Sequence, residues 1–256
     1  MPVNEKKRLR IHWQDLTFYD ICCPPNCPPP EGHKELSPFP GLKNIIGEVI
    51  EKFQLVILDG LHRRQQHKAE DPSQPLDMVR LGISQLIIAL QTIEEGGTII
   101  IALHKMEQVT TAQIVFLLDS LSSRLVMYKS SNTHAAKNMF YAIAIGAGKG
   151  KECAKLPYYL DRLKRLWWDL TYCRREERGI WLNPSDLEFI VDQTRLETEY
   201  LGRLKELGEI VWKVQADRIE QILKRNEEKQ ERNRDKNKAK SIQEAQGLKT
   251  STGDSS

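Results

Sequence analysis

A chain of 256 residues, 40% apolar and 29% charged, can bury a core in one or two domains and still leave a polar remainder. Its formal charge of +3 permits nucleic-acid binding without arguing for it. No run of about 18 apolar residues occurs, so no membrane span is expected, and five cysteines without a secretory leader suggest a reducing, intracellular compartment, cytoplasmic or nuclear.

Residues 8–13 read RLRIHW, in which Leu9, Ile11 and Trp13 alternate with polar residues as in a short strand. Residues 22–41 hold too many prolines for helix or central strand and predict a loop. A short helix is expected over 44–52. The run FQLVIL at 53–58 is continuously apolar and ends in Asp59-Gly60, which fits a strand of a parallel sheet buried on both faces. After a polar loop, Leu76, Val79, Ile83, Leu86, Ile87 and Leu90 recur at helical spacing, and Gly96-Gly97 stops that helix. TIIIAL at 98–103 predicts a second buried strand, 110–121 a helix, 125–128 a short strand and 139–145 a last one. Helices between apolar strands imply a parallel sheet with right-handed crossovers. The short connection at 129–138 allows an antiparallel hairpin at the end of that sheet.

Beyond the glycine-rich AGAGKGK the texture changes. Residues 156–172 are aromatic and basic, Asn183-Pro184 interrupts the chain, and Ser185-x-x-Glu188 predicts a capping box opening a long helix. Leu201, Leu204, Leu207, Val211 and Val214 form one apolar stripe on it. From Lys224 the stripe gives way to mixed charges with no aromatics, as in a disordered tail. The division is thus 1–150 for an α/β domain, 151–223 for a helical extension and 224–256 for the tail.

The ordered series Phe53 to Gly60, Gln85-Leu86, Glu94-Glu95-Gly96-Gly97-Thr98, and Phe140-Tyr141 resembles the fourth strand, the next helix, the fifth strand's turn and the last strand of FtsJ-like (RrmJ-like) ribose 2′-O-methyltransferases. Leu103-His104-Lys105-Met106-Glu107, Trp167-Trp168 and Val211-Trp212-Lys213 look like fungal members of that group. The likeness runs over residues 8–223. It implies a partial Rossmann-like methyltransferase sheet with a C-terminal helical extension, S-adenosylmethionine as cofactor, and methyl transfer to an RNA ribose 2′-hydroxyl, as in rRNA processing. Asp15 and Gly60 would join Asp59 in cofactor binding, and Asp59 and Lys105 would serve the reaction.

The chain departs from the family in two respects. The opening strand and glycine-rich turn, which bring backbone and a helix N-terminus to the cofactor carboxylate, have no counterpart. Residues 9–13 look like the third strand, so the first two are missing, and their loss would leave 53–58 as a bare apolar edge. Truncation, a partner chain or a rearranged fold would each account for this, and truncation is the favoured expectation. Of the family's Lys-Asp-Lys-Glu set, Asp59 falls on the Asp. The second Lys would fall near Ala102 and the Glu near Asn138 or Met139, and Lys105 could serve only if its strand has already ended.

Each candidate has a plainer reading. Asp59 could cap a turn, Asp15 could be an N-cap, and His104-Lys105 could be a solvated strand end. Cys22, Cys23, Cys27 and His33 lack paired metal-ligand spacing, so no metal is expected. Tyr158, Tyr159, Trp167 and Trp168 lie among Lys155, Arg162, Lys164 and Arg165. They could stack and neutralise RNA, but a helix that buries its aromatics and exposes its charges explains them as well. The alternative function is a catalytically dead, methyltransferase-derived module that binds a protein partner through its extension.

Overall fold

A computed structural model of the chain describes residues 52–59, 74–132, 134–170 and 182–250. The expected strand at 8–13, the proline-rich loop, the helix from residue 44, Asp15 and Gly60 lie outside them. The described residues form a mixed α/β structure: β1 (Phe53–Leu58), α1 (Gln74–Thr92), β2 (Ile93–His104), α2 (Val109–Leu121), β3 (Ser122–Tyr128), β4 (Met139–Ala147), α3 (Leu156–Trp168) and α4 (Leu201–Thr250).

The four strands pair in the order β1-β2-β4-β3. β1 and β2 run parallel, and β4 runs antiparallel to both β2 and β3. The short 129–138 connection does form an antiparallel hairpin. Its second strand inserts between β2 and β3 instead of closing the sheet's edge, because β4 offers a ladder to each neighbour and satisfies its backbone groups on both sides.

Alternation decides what each strand buries. The register places Val56, Leu58, Ile99, Ile101, Leu103, Phe140, Ala142, Ala144, Leu125 and Met127 on one face. All but half-buried Val56 are buried there, in one cluster with Ile83, Leu86, Ile87 and Leu90 of α1 and Val115, Leu117, Leu118 and Leu121 of α2. Each fully buried aliphatic side chain contributes on the order of 1.5–3 kcal/mol. β1 was expected to be buried on both faces, but Phe53, Leu55 and Ile57 are about half exposed. Among the described residues β1 is an edge strand with helices over only one face, and its other side is left open.

The turn between β4 and α3 explains the glycine-rich segment. Gly148 and Gly150 both donate their N–H to the Leu121 carbonyl, and Lys149 donates to Gly146. A Cβ on Gly150 would lie 2.2 Å from the Ser120 carbonyl oxygen and 2.5 Å from the Leu121 carbonyl carbon. Close backbone approach, with every one of these amides engaged, is what requires the small residue.

The extension packs on the sheet domain within the same core. Tyr159, Leu163, Leu166 and Trp167 of α3 and Leu207 and Val211 of α4 belong to the one buried cluster, while Tyr158, Arg162 and Arg165 face solvent. The aromatics are therefore mostly packing groups, as the plainer reading had it. The capping box sits two residues earlier than expected: the Asn183 N–H donates to the Asp186 carboxylate at 2.9 Å, opening a 3-10 turn at Pro184–Leu187. The long helical run starts only at Gln193, where the Asp192 carboxylate accepts the Arg195 N–H at 2.8 Å. It passes through a π-helical turn at Leu196–Tyr200 into α4.

The apolar stripe ends near Lys224, yet α4 continues as one helix to Thr250, about 75 Å at 1.5 Å per residue. Strong helix formers and i,i+4 pairs such as Glu220–Lys224 and Glu228–Arg232 support it locally, in solvent.

Gly150→Ala is expected to cost about 1–3 kcal/mol in a urea melt, because the new methyl meets backbone on both sides. Gly202→Ala, in α4 with nothing within 4 Å of its Cβ, should instead stabilise by up to about 1 kcal/mol.

Candidate functional site

β1, β2 and β3 point the same way, so their carboxyl ends share one edge of the sheet, the edge at which open α/β sheets bind ligands. Asp59 follows β1, His104 ends β2 with Lys105 behind it, and Tyr128 and Lys129 close β3. β4 enters from the same edge with Asn138, Met139 and Tyr141. Sequence position separates these groups by up to 82 residues; the sheet brings them together.

The Tyr141 hydroxyl donates to Asp59 Oδ1 at 3.3 Å. Burial, and the Asp59 carboxylate beside it, push the Tyr141 phenol above its ordinary range, so it remains a donor at neutral pH. Tyr141 faces Tyr128 across the β3–β4 ladder, with ring centroids 6.5 Å apart. His104 is held below the ordinary imidazole range, first by burial and then by the positive charge of Lys129. A neutral imidazole at neutral pH keeps one acceptor nitrogen for a ligand or a proton.

Lys105 adopts a left-handed backbone, φ 50°, and its N–H donates to the Asn138 carbonyl at 2.9 Å. The strand has therefore ended before Lys105, which was the condition for it to act at this edge. Ala102, where the resemblance would place a lysine, lies beside Tyr141 in the ladder, and Met139 lies beside His104. Asn138, the nearest candidate for the family's Glu, accepts from Gln215 Nε2 of α4 at 2.7 Å through its side-chain oxygen. The structure thus gathers Asp59, His104 and Lys105 at one edge and adds Tyr141, which the sequence marked only as part of the last strand.

Lys129 was also missed. It is buried, and its ammonium donates to the carbonyls of Lys137 and Met139, the latter at 2.8 Å. Burial lowers its pKa. It staples the 129–138 connection onto the end of β3 and places a positive charge next to His104. A charged residue ending an apolar strand gives no sequence sign of such a role.

The opposite side of the molecule carries a second polar cluster. Asp119 of α2 accepts from the Tyr200 hydroxyl at 2.9 Å and from Arg203 Nε at 3.2 Å. Glu152 accepts from Tyr159 and Lys155, which hold its carboxyl below the ordinary range although burial alone would raise it. Asp119, Glu152, Tyr200 and Arg203 border a cleft of about 530 Å³. Its arginines are engaged with acids, Arg203 with Asp119 and Glu206 and Arg195 with Glu199 and Glu152, so the cluster laces the extension to the domain.

For S-adenosylmethionine the described residues supply only part of a site. Asp59 and Tyr141 offer polar contacts at the right edge. The glycine-rich turn at 146–150 lies at the other end of β4, and its engaged amides cannot cradle a carboxylate. Among the described residues no group of three or more His, Cys, Asp or Glu side chains is placed to hold a metal, and no helix is long and apolar enough to cross a membrane. The cysteines at 22, 23 and 27 lie outside those residues.

Two outcomes are expected. Below pH 6.5, the ordinary imidazole value, the unfolded chain takes up a proton before folded His104 does, so stability falls with pH. Glu152, whose folded pKa is lowered, adds a second loss as pH drops below 4.5. A urea-melt series over pH should show both, and His104→Gln should flatten the first slope alone. Separately, Lys129→Ala leaves two carbonyls short of a donor and is expected to cost about 1–3 kcal/mol at neutral pH.

Comparison with known proteins finds no protein-family model that matches the chain and no curated protein that matches it.

Proposed function

We propose that the chain carries an S-adenosylmethionine-dependent methyltransferase domain of FtsJ type that acts on an RNA ribose 2′-hydroxyl. The observation that supports it is the meeting of Asp59 and His104-Lys105 at the carboxyl ends of neighbouring parallel strands. These are the residues the resemblance marks, at the edge where such sheets bind ligands. In this reading Asp59 is the positioning group, held by the Tyr141 hydroxyl, and Lys105 supplies positive charge at the same edge. Holding the acceptor hydroxyl in register would supply most of the acceleration, with proton removal secondary.

Isothermal titration of the full chain with S-adenosylhomocysteine tests the reading. Micromolar or tighter binding, about −8 kcal/mol, is expected, and Asp59→Ala should abolish methyl transfer to RNA while leaving the melting temperature unchanged. A folded chain that takes up no S-adenosylhomocysteine overturns it.

A second reading is favoured by one observation: Ile219, Ile222 and Leu223 stand exposed on α4 where it leaves the body of the protein. It makes the chain a catalytically dead interaction module that works through its helical extension. A folded chain that binds no S-adenosylhomocysteine but retains a protein partner, with Leu223→Lys releasing that partner, would select it.

A further inference from the structure

The charges on the projecting half of α4 are mixed in sequence but sorted by the helix. Arg225, Lys229, Arg232 and Lys236 recur at steps of four, three and four residues and so share one face. Glu220, Glu227 and Glu231 lie about half a turn round, on the other side. All of these side chains are exposed. Among the described residues the ion pairs of this stretch, Glu220–Lys224 and Glu228–Arg232, leave Arg225, Lys229 and Lys236 out. Lys229 and Lys236 have no acid three or four positions away in either direction. A solvated rod held up by its own charges would pair opposite signs along each face. Here stripe residues at i,i+4 carry like charges, which weakens an isolated helix. A polyanion lying along the stripe would relieve that repulsion.

The body of the protein fixes where the stripe points. α4 rests on the sheet domain through Leu207 and Val211, both buried, and half-buried Val214 and Arg218. Counting 18 residues, about five full turns, from each of these lands on Arg225, Lys229, Arg232 and Lys236 in turn. The basic stripe therefore continues the side of the helix that faces the domain. Near its start α4 is tied by Arg203 to Asp119, at the amino end of β3, and Gln215 reaches Asn138 at the carboxyl edge. Beyond Gln215 the helix runs out past that edge, the one that carries Asp59, His104 and Tyr141.

We infer that this stripe binds the sugar–phosphate backbone of the RNA acceptor and leads it to the carboxyl edge of the sheet. The four cations span about 17 Å of helix, room for several consecutive phosphates. The acidic far side confines a polyanion to the side that faces the domain. The inference takes its ligand from the methyltransferase reading, but cofactor titration tests that reading apart from RNA binding.

Fluorescence anisotropy of the full chain with a labelled single-stranded RNA of mixed sequence, over about 50–200 mM salt, tests it. Each phosphate contact adds about 0.7 to the steepness of log affinity against log salt. Lys229→Gln combined with Lys236→Gln should therefore flatten the slope by about 1.4 and weaken binding at least roughly tenfold near 0.1 M salt, with circular dichroism unchanged. Lys224→Gln combined with Arg234→Gln removes the same charge from the far side of the same helix and should change affinity by less than about threefold. Full affinity in the stripe variant, or an equal loss in both variants, overturns the inference. So does a wild-type chain that leaves the RNA free, and its capture by phosphatidylserine vesicles would then assign the stripe to a membrane surface. RNA binding through the stripe by a chain that takes up no S-adenosylhomocysteine would uphold the RNA surface and overturn the methyltransferase reading alone.

Discussion

The connections from β1 to β2 and from β2 to β3 step in the same direction along the sheet, so right-handed crossovers lay α1 and α2 on one face. The rest of the architecture depends on that. The covered face holds Ile99, Ile101, Leu103 and Phe140, all at most 7% exposed, and supplies the core. The other face leaves Leu55 and Ile57 of β1 more than half exposed. The shared strand direction also fixes the chemistry, since it collects Asp59, His104 and the end of β3 at one edge and leaves the glycine-rich turn at the other.

The extension is held to this frame by polar ties as well as by burial. Gln113, fully buried in α2, donates from Nε2 to the carbonyls of Pro184 and Val191, each at 2.9 Å, and so anchors the turn that precedes the long helix. Asp119, two turns further along α2, binds Tyr200 and Arg203 and fixes the start of α4. Both tie points fall on one helix of the sheet domain, so the extension and that domain are one packed unit. Beyond Arg218 every α4 side chain whose exposure is described is exposed, and the helix there is sustained by its own backbone and by surface ion pairs.

Electrostatics at the carboxyl edge run against what a bare sequence would give. A lysine and a histidine near one another normally imply positive charge at neutral pH. Here the ammonium of Lys129 is turned onto two carbonyls inside the hairpin connection, and its charge helps to keep His104 neutral. Tyr141 stays protonated because burial, and then the Asp59 carboxylate next to it, disfavour the phenolate. The edge therefore offers an acid, a neutral imidazole and a phenol donor, a set suited to orienting a polar ligand.

The sequence by itself determined the elements whose signal is local. Apolar runs of strand length at 53–58 and 98–103, helical spacing from Ile83 to Leu90, and the short 129–138 connection were enough to place β1, β2, α1 and the β3–β4 hairpin, with ends shifted by a few residues. Periodicity reports burial along one element and needs no knowledge of its neighbours. It could not report strand order: β4's place between β2 and β3, and the one-sided cover that bares Phe53, Leu55 and Ile57, depend on which side each crossover takes. Nor could it find Tyr141 or Lys129, whose roles come from partners far away in the chain or from carbonyls that carry no residue identity. Asp59, His104 and Lys105 were legible as strand-end residues. That they share an edge with a tyrosine was decided only by the tertiary structure, because the parallel pairing of β1 with β2 and the antiparallel pairing of β4 with β2 together set which strand ends meet.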